Sequence, residues 1–304
     1  MSFMISRRAM LLGGMSLAIR TPTAGAREAI STNVDLYSEE LKKSVEPHPV
    51  PYIARFTAGI ETLLYVASIH ENRRSSRTFQ LVDLGFQELK PAALVVEGFP
   101  FRWGWSPERV QNKIKSIASA SDVYQGGEGL YACSLAMGSG VPFRGGEPAE
   151  DEVARRLEGM GFDRRDIFGV DILRFLPQSK RSGGYPDAGK PTLDEIVQVV
   201  RERSLGAPHD TRPNADDFRN WYAETYGRAP DSDPGLLSRA YPSPDTKVGS
   251  ILLREVQIRD AHALGVINDM LSSRKTLMVV YGGGHLVTQW HALVKALGQP
   301  TVRG

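Results

Sequence analysis

His70, Glu97, Glu147 and His285 are the residues of this sequence best placed to do chemistry. Each closely follows a short apolar run. Leu63-Leu64-Tyr65-Val66-Ala67 leads to Ser68-Ile69-His70-Glu71, and Ala92 to Val96 leads to Glu97-Gly98. Val141-Pro142-Phe143-Arg144 leads to Gly145-Gly146-Glu147, and Thr276 to Tyr281 leads to Gly282-Gly283-Gly284-His285. Two imidazoles with two or three carboxylates suit either a divalent metal or general acid–base work. The neighbouring glycines allow tight turns and close backbone approach. Taken singly, each histidine also reads as a loop residue or a helix cap, and Gly-Gly-Gly-His as a plain turn. It is not a phosphate-binding loop, because no Gly-Lys-Ser/Thr follows. The signal lies in the recurrence after four successive strands.

Those strands must be arranged so that their ends meet. Helical patterns separate them: Arg77 to Leu89, then 106–120 opened by Ser106-Pro107-Glu108, 128–138 and 149–159. A long helix over 249–271 precedes the last strand. A helix with Val287, Trp290, Val294 and Leu297 on one face follows it. Continuous apolar strands alternating with helices predict an α/β fold, a mainly parallel sheet with helices on both faces. Four core strands are expected, with edge strands not located. In such a sheet the carboxyl ends of the strands share one edge, where ligands bind. Residues 27–60 read as a polar lead-in with a Pro-rich patch at Pro47 to Pro51. The stretch 178–247 is rich in Pro, Gly and Ser, has two helical patterns (192–204 and 214–226) and lacks a strand-like run. It reads as an α-rich insertion in a single domain spanning 27–304.

Arg259 adds a second signal. It falls with Leu252, Val256, Ala263, Ile267 and Met270 on the apolar stripe of the long helix. A guanidinium on a core-facing stripe is costly unless paired. It is expected to reach Glu97, Glu147 or an anionic group of a substrate, with a structural ion pair as the alternative. Asp260, His262 and Glu255 read equally well as solvated. Phe99-Pro100-Phe101-Arg102-Trp103-Gly104-Trp105 beside Glu97 reads either as a pocket lining or as a cap packed on the core. Other mechanisms fail on the residues. His70-Glu71 lacks the second histidine of a His-Glu-x-x-His zinc motif, and Ser139 has Met137 where a nucleophile elbow requires Gly. Cys133 sits in an apolar pattern without a partner and is expected in the core.

The 304 residues are 41% hydrophobic and 24% charged, which excludes collagen-like repeats, long disorder and a polytopic membrane protein. A single cysteine excludes an intramolecular disulfide framework and any multi-cysteine metal site. The formal charge of +2 gives no indication of nucleic-acid binding. Residues 1–26 have an arginine pair (Arg7, Arg8), an apolar run from Ala9 to Ile19 and the small-residue end Ala24-Gly25-Ala26. This reads as an export signal, and Ser6-Arg7-Arg8-Ala9-Met10-Leu11 resembles the twin-arginine type. An ordinary secretory signal or a retained anchor are the alternatives. Three of the 37 basic residues and none of the 35 acidic ones lie in this stretch, so a cleaved chain has a net charge of −1. The expectation is a periplasmic or secreted protein with no membrane span after cleavage.

Taken in order, Ala67-Ser68-Ile69-His70, Val95-Val96-Glu97, Arg259-Asp260 and Gly282-Gly283-Gly284-His285-Leu286 resemble the TraB/TIKI group within the erythromycin-esterase-like and ChaN-like superfamily. The resemblance runs through short islands over most of 61–297. It implies an α/β fold with a site built from those strand ends. TIKI-type members are metal-dependent peptidases with two Gly-x-x-His motifs. Here the second is intact and the first has Ala67 in place of Gly. Esterase-like members use a His and a Glu to activate water against an ester, and ChaN-like members are implicated in haem or iron binding. The expected function is therefore an exported hydrolase of a peptide or ester bond in a small-molecule or peptide substrate. Glu97, assisted by His70, would activate water. His285 would hold a metal or stabilise the oxyanion, and Arg259 would orient a substrate or a carboxylate. Zinc, manganese or cobalt held by His70, Glu97, Glu147 and His285 would suit this donor set. A haem- or iron-binding protein using His70 or His285, or a non-catalytic relative, are the alternatives.

Overall fold

A computed structural model describes residues 27–45, 49–99, 106–117, 122–181, 191–204 and 213–304. The export-signal reading (1–26) lies outside the described residues, as does the aromatic segment from Pro100 to Trp105. The fold is α/β, with a six-stranded mixed sheet that is mostly parallel. The four strands expected from the apolar runs are β2 (Glu61–Ser68), β3 (Ala93–Val96), β4 (Phe143–Gly145) and β5 (Thr276–Gly282). They form one parallel block in the order β4-β3-β5-β2. Strand β1 (Tyr52–Ala58) pairs antiparallel with β2, and β6 (Thr301–Arg303) pairs antiparallel with β1 at the edge. Strand β5, the last of the parallel block along the chain, lies between β2 and β3, so Val280 aligns with both Val66 and Val96.

Alternation along the strands divides the sheet residues between two cores. Leu63, Tyr65, Ala67, Val95, Leu277, Val279 and Tyr281 face one way. There they pack on α9 (Lys247–Arg274) and α10 (Gly283–Leu297). Leu64, Val66, Leu94, Val96, Met278 and Val280 face the other way, toward α2 (Arg77–Leu89) and α4 (Gly127–Gly138). The helix α3 (Pro107–Lys115) joins that second face through Val110 and is capped by Ser106, whose hydroxyl accepts the Arg109 N–H. Cys133 is buried in the same core, as expected, and burial pushes its thiol well above its ordinary value.

The N-terminal stretch departs from the polar lead-in read from the sequence. Ile30, Val34 and Val45 are buried in the α9–α10 core, the last in α1 (Glu39–Val45). Arg27 is tied to Glu61, Asn268 and Ser272. The strand β1 buries Tyr52, Ala54 and Phe56 beside the same two helices. Its pattern is interrupted by Arg55 and Thr57, so local sequence understates it; antiparallel pairing with β2 decides its state.

A third core is helical throughout. It joins α5 (Glu150–Gly159), α6 (Arg164–Arg181), α7 (Leu193–Ser204), α8 (Ala215–Tyr226) and the first half of α9. The helices α7 and α8 match the two patterns read within 178–247, but the helical body begins earlier, with α5 and α6. At its centre the Trp221 ring lies against Gly169, where a Cβ would come within 2.5 Å of three ring atoms. No helix among the described residues is long and apolar enough to cross a membrane.

Candidate active site at the carboxyl edge of the sheet

The parallel block delivers its polar residues to one edge. Glu97 directly follows β3, Glu147 lies two residues past β4, His70 two residues past β2, and His285 in the first turn of α10 after β5. Glu97 is the centre. Its Oε2 accepts the Gly282 N–H at 2.7 Å, across the β3–β5 step. Its Oε1 lies 3.5 Å from Nε2 of His70 and 3.7 Å from Nε2 of His285. One carboxylate oxygen therefore faces two imidazoles that arrive from the next two strands of the sheet, β5 and β2.

The glycines let these groups meet. A Cβ on Gly282 would lie 3.1 Å from Glu97 Oε2 and 3.2 Å from His70 Nε2. A Cβ on Gly145 would lie 2.3 Å from the Gly98 carbonyl oxygen, so no side chain fits where β4 passes the turn after Glu97.

The two imidazoles are held alike but sit differently. His285 is 18% exposed and its Nδ1 is 2.7 Å from Asp260 Oδ1. His70 is 55% exposed and its Nδ1 is 2.8 Å from Glu128 Oε1. Burial works against a charge on His285, but Asp260, Glu97 and Glu147 outweigh it and raise its pKa to about 10. For His70 the hydrogen bond with Glu128 leads, Glu97 adds to it, and the pKa rises to about 9. Without a metal both rings are therefore cationic at neutral pH and Glu97 lies between them.

Glu147 is buried beyond Glu97. Its Oε1 accepts the Tyr281 hydroxyl at 2.9 Å, and its Oε2 accepts from Arg259. Burial alone would raise its pKa. Arg259, with His285 and the Tyr281 hydroxyl, holds it below the usual carboxylate range instead. Arg259 does reach Glu147, as expected from its place on α9, and each of its three nitrogens meets a carboxylate. Its NH1 goes to Glu147, NH2 to Glu150 and Nε to Glu255 at 2.9 Å. Arg174 of α6 donates to Glu150 and bridges to Glu255 as well, so a buried charge network ties the helical core to the site. Asp260 and Glu255, which read as solvated, are buried at 0% and 2% exposure. Partners decide this: Asp260 accepts from His285, Thr288 and Gln289, and one oxygen of Glu255 meets Arg259 and Arg174.

Three of the expected metal ligands form one group. Glu97, Glu147 and His285 each offer a ligand atom within 4.8 Å of the others, and together they could hold a metal ion. The chemistry of the set fits: two carboxylates and an imidazole whose Nδ1 is engaged by a carboxylate, which leaves Nε2 free to ligate. His70 is not in that group, although its Nε2 lies 3.5 Å from Glu97 Oε1. Glu150, Asp171 and Glu255 form a second acidic group, but Arg174 and Arg259 already lie within it. For the alternative of haem, the nearby tyrosines are already committed: Tyr281 donates to Glu147 and Tyr65 to Gln289.

Two residues escaped the sequence reading. Glu128 follows Gly126-Gly127 at the start of α4, where an acid reads simply as a complement to the helix dipole. Gln289 lies one turn past His285 and looks like an ordinary helix residue. The only local hint for either is a polar side chain beside glycines or within an apolar helix face.

Fold and site together define an open α/β protein with an imidazole–carboxylate centre at the carboxyl edge of its parallel strands. No protein-family model, no curated protein and no solved structure matches the chain.

Proposed function

We propose that this protein is a hydrolase of ester or peptide bonds, exported by the twin-arginine route to the periplasm or beyond. The observation that carries the hydrolase reading is the convergence of two imidazole Nε2 atoms on a single oxygen of Glu97. Export rests on residues 1–26 alone, and the TraB/TIKI-like resemblance of the motif islands supports the same reading.

Each group has a role that its surroundings suit. Glu97, its Oε2 fixed by the Gly282 N–H, takes a proton from water on Oε1 as the water oxygen attacks the carbonyl carbon. His285 faces the developing oxyanion with its Nε2–H when no metal is bound. His70, the more exposed imidazole and cationic at neutral pH, gives its Nε2 proton to the leaving oxygen or nitrogen as the scissile bond breaks. The proton gained by Glu97 then returns to His70 across their 3.5 Å contact, and the resting state is restored. A zinc, manganese or cobalt ion held by Glu97, Glu147 and His285 would supply a Lewis acid that polarises the carbonyl. Arg259 acts at one remove, by keeping Glu147 ionised and in place.

The test combines elemental analysis with a screen of ester and peptide substrates. Protein purified without chelator or added metal is compared with His70→Ala/His285→Ala. Near-stoichiometric metal lost in the variant, with unchanged circular dichroism, supports the metal-assisted form. Metal-free protein that fails to bind added zinc, manganese or cobalt yet still hydrolyses a substrate leaves the Glu97/His70/His285 mechanism standing. Absence of both binding and hydrolysis overturns the proposal.

A further inference from the structure

Both imidazoles of the site are held at the nitrogen that faces away from Glu97. We infer that Asp260 and Glu128 are positioning residues that keep a proton on Nδ1 of His285 and His70 and so present both Nε2 atoms to Glu97. The inference rests on the reading of this edge as the active site but not on any metal being bound there.

Asp260 is placed for that role by its complete burial and its three donors. His285 Nδ1 and Gln289 Nε2 both lie 2.7 Å from Oδ1, and the Thr288 hydroxyl donates to Oδ2. A fully buried carboxylate is tolerated only when such donors surround it. The orientation of Gln289 is set in turn. The Tyr65 hydroxyl of β2 donates to its Oε1 at 3.2 Å, which leaves the amide NH2 for Asp260. A chain of buried groups thus runs Tyr65–Gln289–Asp260–His285, from β2 through α10 and α9 to the site. With an anion at Nδ1, a neutral His285 adopts the tautomer protonated there, and its Nε2 lone pair points at Glu97.

Glu128 repeats the arrangement from the other side of the sheet. Its Oε1 takes His70 Nδ1 at 2.8 Å and the Ser68 hydroxyl at 3.1 Å, while the Glu71 N–H approaches Oε2 at 3.4 Å. It is buried at the start of α4, where the free N–H groups of the first turn favour a negative charge. His70 is far more exposed than His285, so Glu128 is what keeps this ring from turning to solvent.

The arrangement predicts ring N–H protons that can be observed directly. In protein labelled with 15N-histidine, His285 and His70 should each give a downfield, slowly exchanging Nδ1–H signal, whether the ring is neutral or cationic. Asp260→Asn should remove the first signal and keep the second, and Glu128→Gln should do the reverse. Zinc affinity, measured by titration calorimetry, should fall roughly 10- to 100-fold in Asp260→Asn, the usual loss for a partner of a ligating histidine. If Asp260→Asn does not fold, Thr288→Val carries the test. It removes one of the three donors and should shift the His285 signal and weaken zinc binding by less. Signals that survive in the matching variants, or zinc affinity unchanged in Asp260→Asn and Thr288→Val, overturn the inference. If wild-type protein binds no zinc but shows both signals and their selective loss, the metal reading fails and the positioning role stands.

Discussion

Replacing Arg259 by Met should destabilise the protein by about 3–5 kcal/mol at pH 7, the range for removing one partner of a buried ion pair. The magnitude follows from counting what is left behind. Glu150 and Glu255 keep Arg174 as a partner, whereas Glu147 keeps only the Tyr281 hydroxyl. One buried carboxylate is therefore orphaned, not three. The pH dependence has a definite sign. In the wild type Glu147 and Glu150 have depressed pKa values, so their stabilisation is present above the ordinary value of 4.5 and is lost as pH falls through the folded values. In the variant only His285 and the Tyr281 hydroxyl still offset burial, the pKa of Glu147 moves up, and protonation relieves the orphan as pH falls. The gap between the two proteins should be widest at neutral pH and narrow steadily toward pH 4.5. Urea denaturation followed by circular dichroism at several pH values measures it. Arg259→Met combined with Glu147→Gln should recover most of the loss, because a neutral amide still accepts from Tyr281. A loss under about 1 kcal/mol, a gap that does not change with pH, or a double variant no better than the single one would refute this account of the network.

Glu97→Gln should lower hydrolysis by about 10²–10⁴-fold, the range for a general base, with the melting temperature nearly unchanged; steady-state kinetics on the substrate found in the screen measures it. In Gly282→Ala the new Cβ would meet Glu97 Oε2 and His70 Nε2 at 3.1 and 3.2 Å, so activity should fall while thermal unfolding shifts little. At Gly283 a Cβ would meet Val50 Cγ1 at 2.1 Å, and Gly283→Ala should cost about 1–3 kcal/mol by overpacking, read from urea unfolding. Metal uptake at pH 7 should release a proton from His285, whose pKa is about 10 without a metal, and apparent affinity should rise with pH up to that value. Calorimetry in two buffers of different ionisation enthalpy counts the protons; no proton release on binding would contradict the assignment of His285 as a ligand.

The parallel block and the residues at its ends were legible because each depends on short-range pattern. An apolar run such as TLMVVY is a buried strand in almost any context, and β2, β3, β4 and β5 all formed where such runs occur. Helices α7, α8 and most of α9 were visible through their helical pattern. From strand type alone it followed that His70, Glu97, Glu147 and His285 share one edge, since parallel strands present all their carboxyl ends together. The placement of Arg259 on a core-facing stripe was likewise a matter of helical spacing.

What pairs with what was decided only in three dimensions. Glu128 and Asp260 have nothing in their local sequence to separate them from surface acids; each is buried because a histidine from a distant segment brings it a donor. Arg259 was readable as a cation that needed partners, but its pairing with three carboxylates depended on α5 packing beside α9. The strand β1 and the buried arm from Ile30 to Val45 depended on the same cause, a partner surface supplied by β2, α9 and α10. Sequence by itself determined the kinds of element and the chemistry carried to their ends, because propensity and periodicity act over a few residues. Tertiary structure decided charge state, tautomer and pairing, because these depend on electrostatic and hydrogen-bond partners far apart along the chain.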